Sequence, residues 1–435
     1  MEDEAGNRFL QDAKAEAEPM TGIIGRQGEL FAHVAAAYCD AGETPISNAD
    51  LYAAVAARAN IPPKALDERT PIGRSGQKHN LIRRAMRWHQ QTLKEAGVIE
   101  HADARGVWRF VSTTKNGLHE PLAGVRLVAF STRLGVAIWG DCMDVFGALR
   151  EEIHLVVTSP PYPLAKARAY GGPTEPEYVD FILRVFEPLV RNLAPSGSIA
   201  LNLSNDIFLA NSPGRSLCLE RLVLALHDRL GLHLMDRLVW SNPSKAPGPV
   251  RWASMTRQHL NVGYEPIYWF SPDPARARSN NRRVLEPHTE RHAALQARGG
   301  ESRCASYSDG AYRIHPGRFG TPTAGRIPRN VITCGHKCAD AAKYRSDARA
   351  LGLPVHGAGW PLSIPDFLIR FLTEPGDLVV DPFGGRVSTG MAAERLGRRW
   401  VCAEKIIDYL RAAAPRFASC DGFSIPDSVS AWTGK

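Results

Sequence analysis

Residues 378–405 read LVVDPFGGRVSTGMAAERLGRRWVCAEK, and the reading of this stretch decides the fold. An apolar strand, Asp377–Val380, runs into Asp381-Pro-Phe-Gly384-Gly385, a helical pattern opens near Ser388 and runs to Leu396, and the strand Arg399–Ala403 closes on Glu404. Strand, glycine turn, helix, strand and acid in this order make a nucleotide-type βαβ unit. The glycines let the backbone approach a ligand closely. Glu404 lies 23 residues past Asp381, close to the spacing at which a carboxylate meets the vicinal hydroxyls of a ribose. Arg386-Val387-Ser388 follows the two glycines, so the full G-x-G-x-x-G of dinucleotide enzymes is absent, which argues against NAD. The bland alternative is a tight strand-to-helix connection.

Upstream the chain alternates in the same manner. An apolar strand, Ile153–Val157, precedes a helix at Glu177–Leu193 with Tyr178, Ile182, Val185 and Leu189 on one face. A strand at Ser198–Leu203, a helix at Leu217–Leu230, strands at His233–Trp240 and Tyr264–Phe270 and a helix near Ile364–Thr373 complete the pattern. Such alternation predicts an α/β fold, a doubly wound and mostly parallel sheet with ligands at the carboxyl ends of its strands. At one of those ends stands Thr158-Ser-Pro-Pro-Tyr162. Two prolines cannot extend a ladder, since neither donates an N–H, so the strand stops on a rigid turn flanked by a hydroxyl and a ring.

The 435 residues allow two or three domains, and 44% apolar with 23% charged residues is an ordinary globular composition. No apolar run spans a membrane and the acidic start MEDEAGNRF does not read as a signal peptide, so a cytoplasmic protein is expected. The net charge is +8, and residues 271–350 alone carry 15 Arg or Lys against 7 Asp or Glu, the same excess. A local excess of this kind suits a polyanion, although a solvated basic loop has the same composition. The eight cysteines are scattered, and Cys142, Cys218 and Cys402 lie in apolar segments, as reduced packed thiols do. Cys334-Gly-His336-Lys-Cys338, with Cys304 upstream, lacks a common zinc spacing and reads as loop thiols, so no metal is expected.

Residues 27–117 read as a separate domain after a flexible 1–26. Helical periodicity covers Glu29–Tyr38 and Asn48–Ala59, the latter with Ser47 or Asn48 as cap. Ile82, Met86, His89 and Leu93 then form an apolar stripe, while Arg83, Arg87 and Lys94 share another face. Seven basic residues and no acid lie between Arg69 and Lys94. Two short strands around Asp103-Ala-Arg-Gly106 follow as a hairpin. Helices, a basic helix and a hairpin resemble the winged helix-turn-helix of some restriction-system proteins, which implies that Arg83, Arg84 and Arg87 contact DNA. A packing or dimerisation domain is the alternative.

TSPPY and DPFGG…AEK together resemble the β class of amino-directed DNA methyltransferases, most closely its cytosine-N4 type. The likeness spans roughly residues 121–412, including GDCMDVF at 140–146, LVWSNPSKAPGP at 238–249 and GYEPIYWFS at 263–271. The catalytic tetrapeptide comes first, a basic insert second and the cofactor loop last, which is the circularly permuted order of that class. Glutamine and small-molecule methyltransferases with a related tetrapeptide run in the opposite order. The resemblance implies a Rossmann-like class I methyltransferase divided as 118–271 (catalytic half), 272–350 (target-recognition insert), 351–418 (cofactor half) and 419–435 (tail). It implies S-adenosylmethionine as cofactor, bound by Asp141 at the adenine amino group and by Glu404 at the ribose. Asp381, Phe383, Gly384 and Gly385 would line it, with Ser388 and Thr389 near its methionine carboxylate. The family usually has a second glycine where this chain has Val387; either the loop stays at φ < 0 there or cofactor affinity is weakened.

On the same resemblance, Ser159 and the carbonyl of Pro160 would accept hydrogen bonds from an exocyclic amine, with Pro161 stiffening the turn and Tyr162 offering a stacking face to a flipped base. Serine before the prolines is the cytosine-N4 habit, aspartate or asparagine the adenine-N6 one. Lys245, Arg282, Arg283, Arg326 and Arg329 would contact double-stranded DNA, since arginine forks suit guanine edges and phosphates. A restriction-modification role would bring a cognate endonuclease as partner. The competing readings are an adenine-N6 enzyme, an RNA methyltransferase, and a DNA-binding regulator with an inactive domain.

Overall fold

The computed structural model describes residues 44–72, 77–95, 99–102, 104–110, 114–115, 118–121, 124–164, 168 and 170–426, with Leu30, His33, Val34, Ala37, Tyr38 and Ala41. The expected segment 1–26 and the end of the 419–435 tail lie outside the described residues.

The amino-terminal unit is held by the expected stripe. Strand β1 (Ile46–Ser47) leads into the helix Asn48–Arg58, capped by Ser47, whose hydroxyl accepts from the Asp50 N–H at 3.2 Å. The hairpin β2 (Thr70–Ile72) and β3 (Gln77–His79) precedes the helix Leu81–Glu95. Ile82, Met86, His89 and Leu93 are all buried there, against Leu30, Val34 and Tyr38. Strands β4 (Ile99–His101) and β5 (Val107–Phe110) pair antiparallel and β1 joins β5, giving a three-stranded sheet. A second hairpin, β6 (Thr114–Lys115) with β7 (Leu118–His119), ties this unit to the rest. The His119 N–H donates to Asp408 at 3.0 Å, and Leu118 is buried against Ile406 and Tyr409.

Among the described residues, the remainder is built on one nine-stranded sheet. Its strands are β8 (Arg126–Ser131), β9 (Gly135–Gly140), β10 (Ile153–Thr158), β11 (Leu193–Asn202), β12 (His233–Ser241) and β13 (Tyr264–Ser271). The short hairpin β14 (Ala305–Tyr307) and β15 (Tyr312–Ile314) stands outside it, and β16 (Val331–Thr333), β17 (Leu378–Asp381) and β18 (Arg399–Glu404) complete it. The order is β16-β12-β13-β11-β10-β17-β18-β9-β8. Only β8 and β13 run against the others. Strand β13 is reversed because no α-helix lies between β12 and β13, so the chain returns from the end at which it left.

Helices cover both faces. Cys142–Ala148, Tyr178–Arg191 and Cys218–Leu230 bury Phe146, Ile182, Phe186 and Leu222 on one face. Ala339–Ala350, Ser363–Leu372, Ser388–Arg395 and Ile407–Ala413 pack with Trp139, Trp240 and Trp400 on the other. The stretch outside the sheet is therefore narrower than the expected 272–350. Strand β16 pairs with β12, and the helix Ala339–Ala350 buries Ala341, Tyr344 and Ala348, because apolar spacing in 331–350 overrides its basic composition.

Strand β10 lies between β11 and β17, and its two crossovers diverge. The helix after β10 leads to β11, whereas the helix after β17 leads to β18 on the other side. This switch point opens a crevice at the carboxyl ends of β10 and β17, where TSPPY and DPFGG emerge.

Candidate active site and cofactor cleft

The two motifs are joined by one buried carboxylate. Asp381, 3% exposed, accepts from the Thr158 hydroxyl at 2.7 Å, the Thr389 hydroxyl at 2.6 Å and the Phe383 N–H at 3.0 Å. Burial pushes its pKa up while these donors hold it down. The first residue of TSPPY is thereby clamped to the first residue of DPFGG, 223 positions away.

Past the clamp, Ser159 Oγ lies 2.7 Å from the Tyr162 hydroxyl, which donates to Asn202 Oδ1 at 3.1 Å. Asn202 ends β11, and its Nδ2 donates to the Pro266 carbonyl at 3.3 Å, which fixes the amide orientation. Tyr162 has one proton to give, so with that proton on Asn202 the Ser159 hydroxyl donates to Tyr162. Both Ser159 lone pairs are then left facing the crevice, polarised by the chain behind them. Burial and the nearby Glu265 carboxylate hold the Tyr162 phenol well above its ordinary value, so it stays a neutral donor. Asn202 was not singled out in the sequence; its only signal there is a polar residue closing the apolar strand SIALN.

A cavity of about 650 Å³ opens from Ser159–Tyr162 across to Asp141, Phe383 and Glu404. Asp141 caps the helix Cys142–Ala148, accepting from the Met143 N–H at 2.8 Å. The Glu404 carboxylate accepts from the Gly385 N–H at 2.7 Å and the Ile406 N–H at 2.8 Å, and burial still pushes it up to about 7. His356 closes the wall beside the glycine turn, stacked on Tyr170 at 5.6 Å and edge-on to Tyr409 at 4.7 Å. A Cβ on Gly385, at φ +50°, would lie 3.1 Å from the His356 ring, so the turn requires glycine there. His356 Nδ1 has no hydrogen-bond partner among the described residues, and burial with nearby Arg386 and Arg168 pulls the imidazole down to about 3. Nothing in the local sequence PVHGAGW marked it.

Several expected residues are placed elsewhere. Ser388 and Thr389 do not line the cavity: both are fully buried, Ser388 accepting from Arg386 Nε at 2.9 Å and Thr389 holding Asp381. Asp381, Gly384 and Gly385 likewise sit behind the wall and shape it. Val387 takes φ +58°, ψ +38°, so the alternative of a loop at φ < 0 is excluded. Its side chain is fully buried, and Gly390 leaves the room it occupies, since a Cβ there would meet Val387 Cγ1 at 2.7 Å. Apolar burial thus offsets the left-handed strain. Arg386 is buried beneath the loop, its guanidinium donating to the Trp360 carbonyl, while Arg416 donates to the Arg386 carbonyl and pairs with Asp340 at 2.6 Å. It braces the loop from behind.

Among the expected DNA contacts, Arg84, Arg87, Arg282 and Arg329 are exposed. Arg283 is half-buried against the Thr373 carbonyl and Glu374, Arg326 pairs with Glu286 at 2.6 Å, Lys245 with Glu265 at 3.0 Å and Arg83 with Asp67 at 2.9 Å. Arg283 thereby braces these segments, its guanidinium held by the Arg278 and Thr373 carbonyls and by Glu374. Cys334 and Cys338 serve as main-chain acceptor and helix cap, and no three His, Cys, Asp or Glu side chains gather among the described residues.

The cleft fits a nucleoside with an attached chain. A carboxylate with spare lone pairs, an aromatic face at Phe383, an unpartnered imidazole nitrogen and a cradle that a Cβ would fill line one volume. Comparison with known proteins agrees. Residues 153–415 match the DNA methylase family N6_N4_Mtase. The chain is 31% identical over 290 residues to the type II methyltransferase M.PvuII of Proteus hauseri, covering 66% of this chain and 85% of that one. It is 24% identical over 275 residues to M.BglII of Bacillus subtilis, covering 63% and 66%. The solved PvuII DNA methyltransferase (cytosine-N4-specific) superposes with a TM-score of 0.54 at 27% identity, over 71% of this chain and 96% of that one. With the clamp, the cleft and the sequence match in agreement, the chain belongs to the N6_N4_Mtase family of DNA methylases, and S-adenosylmethionine is its cofactor.

Proposed function

We propose that this chain methylates the exocyclic N4 of a cytosine flipped out of duplex DNA, at a specific site, as the modifying partner of a restriction endonuclease. The observation that carries the reading is the Thr158–Asp381 clamp, which sets the Ser159 acceptor and the Glu404 cleft on one cavity. Bound in that cleft, S-adenosylmethionine supplies an electrophilic sulfonium methyl. The protein's part is to prepare the amine, whose lone pair is delocalised into the base. Ser159 Oγ and the Pro160 carbonyl accept its two N–H groups and draw the nitrogen towards tetrahedral geometry, so that the lone pair projects out of the ring plane. Positioning of this sort works because the acceptors do not reorganise, and the prolines and the Tyr162–Asn202 chain provide that rigidity. Glu404 takes the ribose hydroxyls, Asp141 the adenine amine, and Phe383 lies against the nucleoside. Ser388, Thr389 and the main chain of Gly384–Gly385 shape the cleft from behind.

The amino-terminal unit, with the helices Asn48–Arg58 and Leu81–Glu95, a three-stranded sheet and Arg84 and Arg87 exposed, supports the winged-helix reading and a grip on phosphates. Residues 272–330, with Arg329 and the β14–β15 hairpin, serve as the target-recognition segment in the permuted order. An uncharged serine ahead of the prolines, rather than a carboxylate or amide, favours cytosine over adenine. The test is to incubate the protein with labelled S-adenosylmethionine and duplex DNA and digest the product to nucleosides. Label in N4-methylcytosine is expected; label in N6-methyladenine overturns the choice of base. Calorimetry that finds tight DNA binding and no cofactor binding would replace the enzyme with the regulator.

A further inference from the structure

The loop 242–263, which joins β12 to β13, is absent from the cavity wall, yet it has an unusual surface. Met255 and Leu260 are 74% and 89% exposed, the highest values among the large apolar side chains of the described residues. Two such side chains in water on one loop are unfavourable unless something covers them.

The loop is well anchored. The Val262 N–H donates to the Gly248 carbonyl at 2.8 Å, and the N–H groups of Gln258 and His259 converge on the Trp252 carbonyl at 2.8 and 3.1 Å. The His259 ring reaches the Pro213 carbonyl at 2.8 Å and lies edge-on to Phe208, while Ala253 and Val262 are buried. The exposed pair is therefore held out by a built scaffold. The loop also leaves the sheet at the catalytic end: Asn242 pairs with Gly263 across its base, and Pro266, three residues further on, accepts from Asn202, the last link of the Ser159 chain. Its charge is one-sided. Lys245 is paired with Glu265, which leaves Arg251 and Arg257, with no acid in 242–263.

Apolar tips on a basic, rigid loop beside the catalytic crevice match the chemistry of a side chain that enters a base stack, for which leucine and methionine are suited. We propose that Leu260 and Met255 wedge into the duplex and occupy the space that the target nucleotide vacates. This rests on the flipped-base reading above. Flipping costs the stacking and pairing of one nucleotide, and an apolar wedge restores contact to the bases that remain. The positive loop charge brings the phosphates to it.

The test uses the full chain and its L260G/M255G variant, both positions being exposed, on two oligonucleotide duplexes containing the sequence that the wild-type protein methylates in plasmid DNA. One duplex is fully paired; the other has an abasic position opposite the target cytosine, so that the base is already loosened. On the paired duplex the variant should lose about tenfold or more in kcat/KM, and on the loosened duplex it should come within about twofold of wild type. Equal loss on both duplexes, or no loss on either, overturns the wedge. A wild-type protein that transfers no label to either duplex overturns the methyl-transfer reading itself, and the wedge with it.

Discussion

Glu404 is where binding and stability pull against each other most measurably. Its carboxyl lies at about 7 in the folded protein against 4.5 for an ordinary glutamate, chiefly because it is buried. The folded chain therefore holds a proton at this position between those two values while the unfolded chain does not. Stability from this group is complete below about pH 4.5 and is lost as pH rises through about 7, a fall of about 3 kcal/mol. The Glu404→Gln variant has no such titration. Glutamine can accept only one of the Gly385 and Ile406 N–H groups, which costs about 1–2 kcal/mol at every pH. Urea unfolding of both proteins at pH 5 and pH 8 separates the two effects: the offset is constant, whereas the difference should change by about 3 kcal/mol in favour of the variant at pH 8. Parallel behaviour across that range refutes the reasoning. The ionised carboxylate is also the form that accepts two ribose hydroxyls. Calorimetry of the wild type should therefore show S-adenosylmethionine binding roughly tenfold tighter at pH 8 than at pH 6, and the variant should bind weakly at both.

Tyr162→Phe keeps the ring but breaks the chain from Ser159 to Asn202, so kcat should fall about tenfold or more while the cofactor Kd stays the same; equal activity would remove the chain from catalysis. Val387→Gly relieves left-handed strain of about 1–2 kcal/mol but forfeits three buried carbons at about 0.8 kcal/mol each, so thermal unfolding should show a net loss of about 0.5–1.5 kcal/mol with cofactor affinity unchanged. In Arg84→Ala and Arg87→Ala, the log–log slope of DNA affinity against salt should shrink by about one for each phosphate contact removed; an unchanged slope would take the basic helix off the DNA.

What the chain determined by itself was what depends on near neighbours. Tyr178, Ile182, Val185 and Leu189 were legible as a buried helix face because their spacing reports one side of a helix, and all four are buried. TSPPY and DPFGG were legible as strand ends because proline and glycine act within a few residues. Tertiary structure decided what depends on which strands adjoin. Only the placement of β10 beside β17 brings Thr158 to Asp381, and only β11 beside β10 brings Asn202 to Tyr162. Ser388 and Thr389 lie behind the cavity wall because a buried guanidinium and a buried carboxylate, supplied from within the loop, hold their hydroxyls. His356 and the loop 242–263 carry no local signature, since an unpartnered nitrogen or an uncovered leucine is defined by what surrounds it, and those surroundings come from distant parts of the chain.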